Sequence, residues 1–333
     1  VLADQCTPQV VRAIEEGGRT AEATTALWEQ LEATGLADAL LSEDAGGAGL
    51  GLGQVFGVLE QCGAHALPLP LGETMVARAL LAQAGVARPA GSIALARGEH
   101  LANGGLRCAL VRSGQVAAAV LVQTGTEWRL LNTADAQGAA QALALDAALT
   151  WTAVQVQAAP AVEVNGALDV RTLQAAVVAA QMAGALSSVF RRSLQYANER
   201  QQFGRPIGKF QAIQHQLAVM SEHVFAARMA AQLGCSAGHD GMGVVPDRLR
   251  VATAKARCSE AALVVSELAH AIHGAIGFTE EYDLQLFTRR LHAWRQTAGS
   301  EAYWYGVAGE ALLHHQGMTL DIVRRITDVD TVL

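Results

Sequence analysis

The chain has 333 residues, 51% hydrophobic and only 5% aromatic, with a formal net charge of -7. That length allows two or three packed domains around a sizeable core, and long alanine- and leucine-rich stretches without proline favour helix over sheet. Net negative charge with scattered basic residues excludes a nucleic-acid groove, although Arg289, Arg290 and Arg295 stand close enough in sequence to meet a single anion.

Cys6, Cys62, Cys108, Cys235 and Cys258 are odd in number and far apart, with no Cys-x-x-Cys pair, so reduced thiols are expected rather than a disulfide framework or a zinc site. No run of about eighteen uninterrupted apolar residues occurs, since Ala175 to Ala185 is broken by Gln181, and no membrane span is expected. The start, Val1-Leu2-Ala3-Asp4, has no basic segment before an apolar one, which makes the cytoplasm the expected location.

In chain order, residues 1–90 read as helices around one glycine-rich loop. Ala23 to Thr34 carries Leu27, Trp28 and Leu31 on a helical face, and Val55 to Cys62 resumes the pattern after the loop Ser42 to Gly51. That loop lacks the Gly-Lys-Ser/Thr ending of a phosphate cradle. From 91 to 166, short runs rich in Val, Leu and Thr (109–111, 116–123, 128–131, 150–156) are separated by Gly, Asn and Asp, which predicts a small antiparallel sheet domain. Trp128 and Trp151 fall within those runs. Helical patterns then cover roughly 168–199, 209–236, 247–272, 281–297 and 301–329. The fold class is therefore mainly α with a small β domain. Its expected parts are an N-terminal helical domain (1–90), a middle β-barrel or sheet (91–166) and a C-terminal four-helix-bundle domain (167–333). The apolar helices at 173–190 and 213–231 carry more apolar surface than one short bundle hides, so an oligomer is expected.

Two segments carry chemistry. Between two of the helical patterns, the run Glu199 to Gln214 contains Phe203-Gly204-Arg205-Pro206-Ile207-Gly208, an interhelical turn in which the glycines free the backbone and Pro206 stiffens it. Arg200 and Gln202 are donors suited to a phosphate or a heteroaromatic edge, while Phe203 and Phe210 are flat apolar surfaces suited to a ring system. An ordinary helix hairpin with core aromatics satisfies the same spacing. Farther on, His270 to Tyr282 reads as a helix end with two close glycines, Gly274 and Gly277, where backbone amides can approach a diphosphate. Helix capping by itself also accounts for glycines there.

The first run matches, almost residue for residue, the Glu-Arg-x-x-Phe-Gly-x-x-Ile-x-x-Phe-Gln-x-Ile-Gln signature of the acyl-CoA dehydrogenase family. The second resembles the family's Gln-x-x-Gly-Gly-x-Gly-Phe segment, with Ala271 in place of Gln and Ala275 in place of the second Gly. Leu27 to Leu31, the Gly46-to-Leu50 loop and Leu59 to Gly63 resemble the family's amino-terminal domain, whereas the middle domain is compressed relative to ordinary members. The resemblance implies FAD held by Arg200, Gln202, Phe203, Ile207, Phe210, Gln211 and Ile213. It further implies Gly274 and Gly277 approaching from a neighbouring subunit, Ser300 touching the cofactor, and no metal. It implies an acyl-CoA substrate of fatty acid or steroid catabolism, whose α proton goes to a carboxylate while a β hydride passes to the flavin. It implies a homodimer, tetramer or heterotetramer, with no nucleic-acid or membrane partner.

The carboxylate is the difficulty. In most relatives it is the Glu of a Tyr-Glu-Gly-Thr motif. An ungapped count from Gly277-Phe278 lays Thr297-Ala298-Gly299-Ser300 on that motif, with Ala298 where the base belongs. Other members carry the Glu on the long helix before the turn, where this chain has Gln174, or Ala175 with a one-residue shift. Glu301, three residues beyond Ala298, is the nearest carboxylate, displaced by about 4.5 Å along a helix, and a capping or solvated role fits it as well. Glu280 and Glu281 read as an exposed helix start. The leading expectation is a FAD-binding subunit of a heteromeric dehydrogenase whose homologous partner supplies the glutamate. The alternatives are a self-sufficient enzyme using a displaced carboxylate and a structural, non-catalytic subunit. Arg289 and Arg290 are expected either to meet a CoA phosphate or to be solvated.

Overall fold

The computed structural model describes residues 1–164, 168–236 and 245–328. The boundary expected at 166/167 and the expected last helical residue, 329, lie outside them. Among the described residues the chain begins with helices α1 (Leu2–Gln5), α2 (Pro8–Gly17), α3 (Glu22–Ala33), α4 (Phe56–Ala64) and α5 (Leu71–Gln83). Strands β1 (Ile93–Arg97), β2 (Glu99–His100), β3 (Leu106–Val111), β4 (Ala119–Thr124), β5 (Glu127–Asn132), β6 (Gln137–Ala140) and β7 (Ala147–Trp151) follow. Then come α6 (Ala153–Ala158), α7 (Val170–Glu199), the hairpin β8 (Gln201–Gln202) and β9 (Arg205–Pro206), α8 (Gln211–Cys235) and α9 (Arg248–His273). The chain closes with α10 (Leu284–Gln296), α11 (Glu301–His314) and α12 (Thr319–Thr327).

These elements form two compact units. One holds Val1–Val55 and Leu67–Val177; the other holds Phe56–Ala66, Val178–Ser236 and the described residues from Pro246 on. In the first, β1, β4 and β5 make one sheet and β2, β3, β7 and β6 make another. Alternate residues of both sheets, among them Ala94, Ala96, Val120, Val122, Leu106, Cys108, Leu149 and Trp151, fill one shared core. The sheet is not wholly antiparallel as the composition of its strands suggests. β1 runs parallel to β4, in register Ile93↔Ala119 to Arg97↔Gln123, because the chain visits the second sheet through β2 and β3 between them. Trp128 and Trp151 are buried, the latter donating its indole N–H to the Asn132 carbonyl at 2.8 Å, so neither faces a ligand surface. Helix α5 is buried from Leu71 to Leu81, and its polar residues are engaged: Thr74 donates to the Pro70 carbonyl and Arg78 pairs with Glu32 and Asp38.

The second unit is a helical bundle, and small residues let its helices approach. A Cβ on Gly63 of α4 would lie 1.7 Å from the Gln181 carbonyl oxygen of α7, and one on Gly184 would lie 1.8 Å from that of Glu60. The Cys258 thiol of α9 faces the Ala179 and Ala227 carbonyls of α7 and α8. Burial pushes it up to about 12, so it is a packing residue and not a nucleophile. All five cysteines are free and buried. Two helical stretches, Val170–Glu199 and Arg248–Phe278, are long and apolar enough to cross a membrane by composition, because mean hydropathy tolerates the polar residues that interrupt each run. The apolar window of the first is 89% buried within the protein, which is the signature of a bundle core helix. The pattern expected at 301–329 is two helices: α11 ends at His314 and α12 starts at Thr319, with Gly317 between at φ +150°.

Candidate cofactor and active site

The expected turn is a two-residue β-hairpin between α7 and α8. Gln202 pairs with Arg205 and Gln201 with Pro206, and the central residues Phe203 and Gly204 have φ of +52° and +78°. Positive φ at both centres suits the right-handed strand twist, and glycine or asparagine normally supplies it. A phenylalanine there is strained, yet the residue is 91% exposed, so burial does not compensate. Phe210 stands edge-on to it at 6.1 Å, and the Arg205 guanidinium lies over Phe210 at 4.2 Å. Ile207 is buried and anchors the corner, its N–H donating to the Arg200 carbonyl at 2.8 Å. Ile213 is half-buried; Arg200, Gln202 and Gln211 are exposed, and their side-chain donors have no partner among the described residues. This donor set, a guanidinium and two carboxamides beside an open aromatic face, fits a dinucleotide with a diphosphate and a flat ring.

The second glycine segment is a 3-10 turn, Gly274–Phe278, that continues α9. Its two glycines differ. Gly274 is exposed at φ +65° with no atom within 4 Å of a built Cβ, so the backbone is open to approach. Gly277 is buried, and a Cβ there would meet His273 Cβ at 3.1 Å and His270 Nδ1 at 3.2 Å; its smallness serves internal packing. The segment rests on aromatic stacks, Tyr196 on His273 at 4.4 Å and His270 on Phe278 at 4.2 Å. The Tyr282 hydroxyl lies 3.3 Å from His273 Nε2. Burial holds both histidines below their ordinary value. Glu280 and Glu281 are exposed.

The turn Thr297–Ser300 joins α10 to α11. Ala298 has φ +57° and Gly299 φ +104°, and a Cβ on Gly299 would meet Tyr303 Cδ1 at 2.7 Å and Trp304 Nε1 at 2.9 Å. The Trp304 indole donates to the Ala298 carbonyl at 3.0 Å. Ser300 sits at the N-cap of α11 and its hydroxyl makes no capping bond. Glu301 is paired with Arg295 through both carboxylate oxygens, and that hydrogen bonding holds it below the usual carboxylate range. A carboxylate so engaged is a weak proton acceptor. Arg290 is buried on the Leu286 carbonyl, so it is not the solvated arginine its sequence position suggests. In the first unit Gln174 donates to the Leu95 carbonyl at 2.7 Å, while the Leu95 N–H donates to the buried Glu73 carboxylate at 2.8 Å. Gln174 is thereby tied to β1.

Sequence reasoning missed Lys255. Its ammonium is fully buried in α9 and donates to the Arg295 carbonyl at 3.0 Å, the Gly299 carbonyl at 2.9 Å and the Ser259 hydroxyl at 2.9 Å. The available signal was its spacing of three and four from Ala252, Val251, Cys258 and Ser259, which places it on the buried face.

The description "Acyl-CoA dehydrogenase, C-terminal domain" matches residues 170–313. The acyl-CoA dehydrogenase IpdE2 of Mycolicibacterium smegmatis is 31% identical over 297 residues, covering 88% of this chain and 89% of that one. Among solved structures, the ChsE4-ChsE5 complex from Mycobacterium tuberculosis superposes with a TM-score of 0.80 at 22% identity, covering 95% of both chains. The Tcur3481-Tcur3483 steroid ACAD, in a variant form, gives 0.76 at 28% identity and covers 94% of both. The fold, the signature turn and the full-length relative agree: this chain belongs to the acyl-CoA dehydrogenase family of oxidoreductases.

Proposed function

We propose that this chain is a FAD-binding subunit of a heteromeric acyl-CoA dehydrogenase that introduces an α,β double bond into an acyl-CoA thioester, with the proton acceptor supplied by a homologous partner. The observation that carries this reading is Ala298. The turn at the expected base position is held by the Trp304 indole and by Lys255, and residue 298 carries no carboxylate. The other candidates support it. Gln174 has no proton-accepting group and is tied to β1, and Glu301 is neutralised by Arg295.

Acyl-CoA dehydrogenases are FAD-dependent flavoproteins, and the chemistry FAD supplies when bound is acceptance of the hydride leaving the acyl β-carbon. In this chain Arg200, Gln202 and Gln211 would hold the cofactor's polar edges, and Phe203, Ile207, Phe210 and Ile213 its apolar faces. Gly274, Gly277 and Ser300 complete the proposed set, Gly274 by its open backbone and Gly277 by shaping the turn. The three-part division at 90/91 and 166/167 is retained as part of this reading. The names ChsE4-ChsE5 and Tcur3481-Tcur3483 steroid ACAD are those of two-component assemblies, which supports a heteromer and a bulky, steroid-type acyl group.

The test is purification alone and after co-expression with a genomically adjacent homologue, followed by native mass spectrometry and a visible spectrum. The expected result is a stoichiometric hetero-oligomer with a flavin band. A homo-oligomer that oxidises acyl-CoA unaided would overturn the partner-supplied base, and no flavin in either preparation would remove the cofactor.

A further inference from the structure

We propose that Lys255 is a positioning residue for the turn Ala298–Ser300, fixing from beneath the backbone against which the cofactor and the acyl thioester are laid. This rests on the reading above that the turn faces the cofactor. The geometry is specific. Three acceptors from three places converge on one Nζ: a hydroxyl on its own helix α9, a carbonyl at the end of α10 and a carbonyl in the turn itself. An ammonium has three N–H donors and satisfies all three; a neutral amine has two. The turn needs such support, because Ala298 and Gly299 both hold positive φ and such conformations persist only when the surroundings over-determine them. Because the Gly299 carbonyl points at Lys255 and the peptide is trans, the Ser300 N–H is directed to the opposite side. The uncapped Ser300 hydroxyl adjoins that N–H. Lys255 thus sets the direction of donors it never touches.

The charged and titratable groups facing Lys255 are Cys258 on α9, Arg295 on α10 and Glu301 on α11. Burial pushes the ammonium down to about 7, against the opposing effect of Cys258 and Glu301. The clamp therefore has three donors on the acid side of neutrality and two on the alkaline side. His270 and His273, held below their ordinary 6.5, titrate in a more acid range and are separable from it.

The test is FAD affinity by fluorescence titration of the protein as isolated, with any co-purified partner, for wild type, Lys255→Met and Lys255→Arg across neutral pH. The expected wild-type affinity falls about tenfold as pH rises through the lysine's range, the size of one lost charge-assisted hydrogen bond. Lys255→Met is expected to bind about tenfold more weakly at every pH. Lys255→Arg, which stays charged, is expected to show no fall with pH. Equal affinity and a flat profile in wild type and Lys255→Met would overturn the proposal. Should Lys255→Met fail to fold by circular dichroism, Lys255→Gln is titrated in its place, and an affinity equal to wild type overturns the proposal. Wild type that binds no FAD at any pH would instead remove the reading on which the proposal stands.

Discussion

The hairpin at residues 200–211 and the turn at 297–301 are built on opposite principles within one helical unit. The hairpin is open: Phe203 is 91% exposed, and Arg200, Gln202 and Gln211 present side-chain donors that nothing among the described residues engages. The turn is closed: Trp304 roofs it, Lys255 pins it and Arg295 with Glu301 brackets it. The difference teaches that, on the proposed roles, a surface for a cofactor and a frame for a reactive group are encoded separately. A carboxylate can be absent from the second without loosening its frame, and the first remains ready for a ligand.

The largest expected effect that sharpens this contrast is Gly299→Val. The nearest atoms to a Cβ are 2.7 and 2.9 Å away and φ is +104°, so urea denaturation should show a loss of about 3 kcal/mol. Gly204→Ala in the hairpin, with no atom within 4 Å, should lose only about 1 kcal/mol. Equal losses would erase the distinction between open and closed turns. Next in size, Arg200→Ala should weaken FAD binding by about tenfold, or ~1.4 kcal/mol, without changing the midpoint of denaturation. A shift in stability with unchanged affinity would make Arg200 a structural residue.

Phe203→Asn tests whether the hairpin holds strain for binding. Asparagine tolerates φ near +52°, so the variant should gain about 1 kcal/mol of stability while losing FAD affinity. A variant that gains neither stability nor loses affinity would leave the exposed ring without a role. The smallest effect is expected for Glu301→Gln. The Arg295–Glu301 pair has side chains 26% and 22% exposed, and its loss should cost under about 1 kcal/mol. Because the folded carboxyl lies below its ordinary 4.5, the pair's contribution is present above that value and fades as pH falls through the folded value. Comparing wild type with Glu301→Gln by chemical denaturation should therefore show a gap at neutral pH that closes in acid. A gap that widens in acid would contradict the pairing.

Helices α7, α8 and α9 were legible because their apolar spacing and end signals agree: all fall within two residues of the ranges expected. The break between α11 and α12 was not, since Gly317 sits inside an otherwise helical pattern and one glycine does not announce a stop. The runs at 109–111, 116–123 and 128–131 mark β3, β4 and β5, but β1, β2 and β6 lie in no expected run. The run 150–156 is strand only to Trp151, because the Thr152–Gln155 capping box starts α6 at Ala153. The parallel pairing of β1 with β4 depends on which strands lie between them in space. The hairpin was legible as a turn, yet the left-handed conformation of Phe203 was not, because a phenylalanine gives no signal for positive φ. Lys255 escaped notice for a related reason: a lone lysine normally marks a solvated face, and only its hydrogen bonds to two carbonyls and a hydroxyl explain its burial.

The most direct measurement is an anaerobic titration of the flavin-loaded chain, without partner, against acyl-CoA thioesters ranging from short-chain to steroid side-chain. Ala298→Glu serves as the comparison, since Ala298 already holds the φ of +57° that a glutamate there would inherit. The expected result is that wild type leaves the flavin oxidised while Ala298→Glu bleaches it with at least one thioester. Bleaching by wild type alone, at a rate that Ala298→Glu does not raise, would show that the chain carries its own base and would contradict the account.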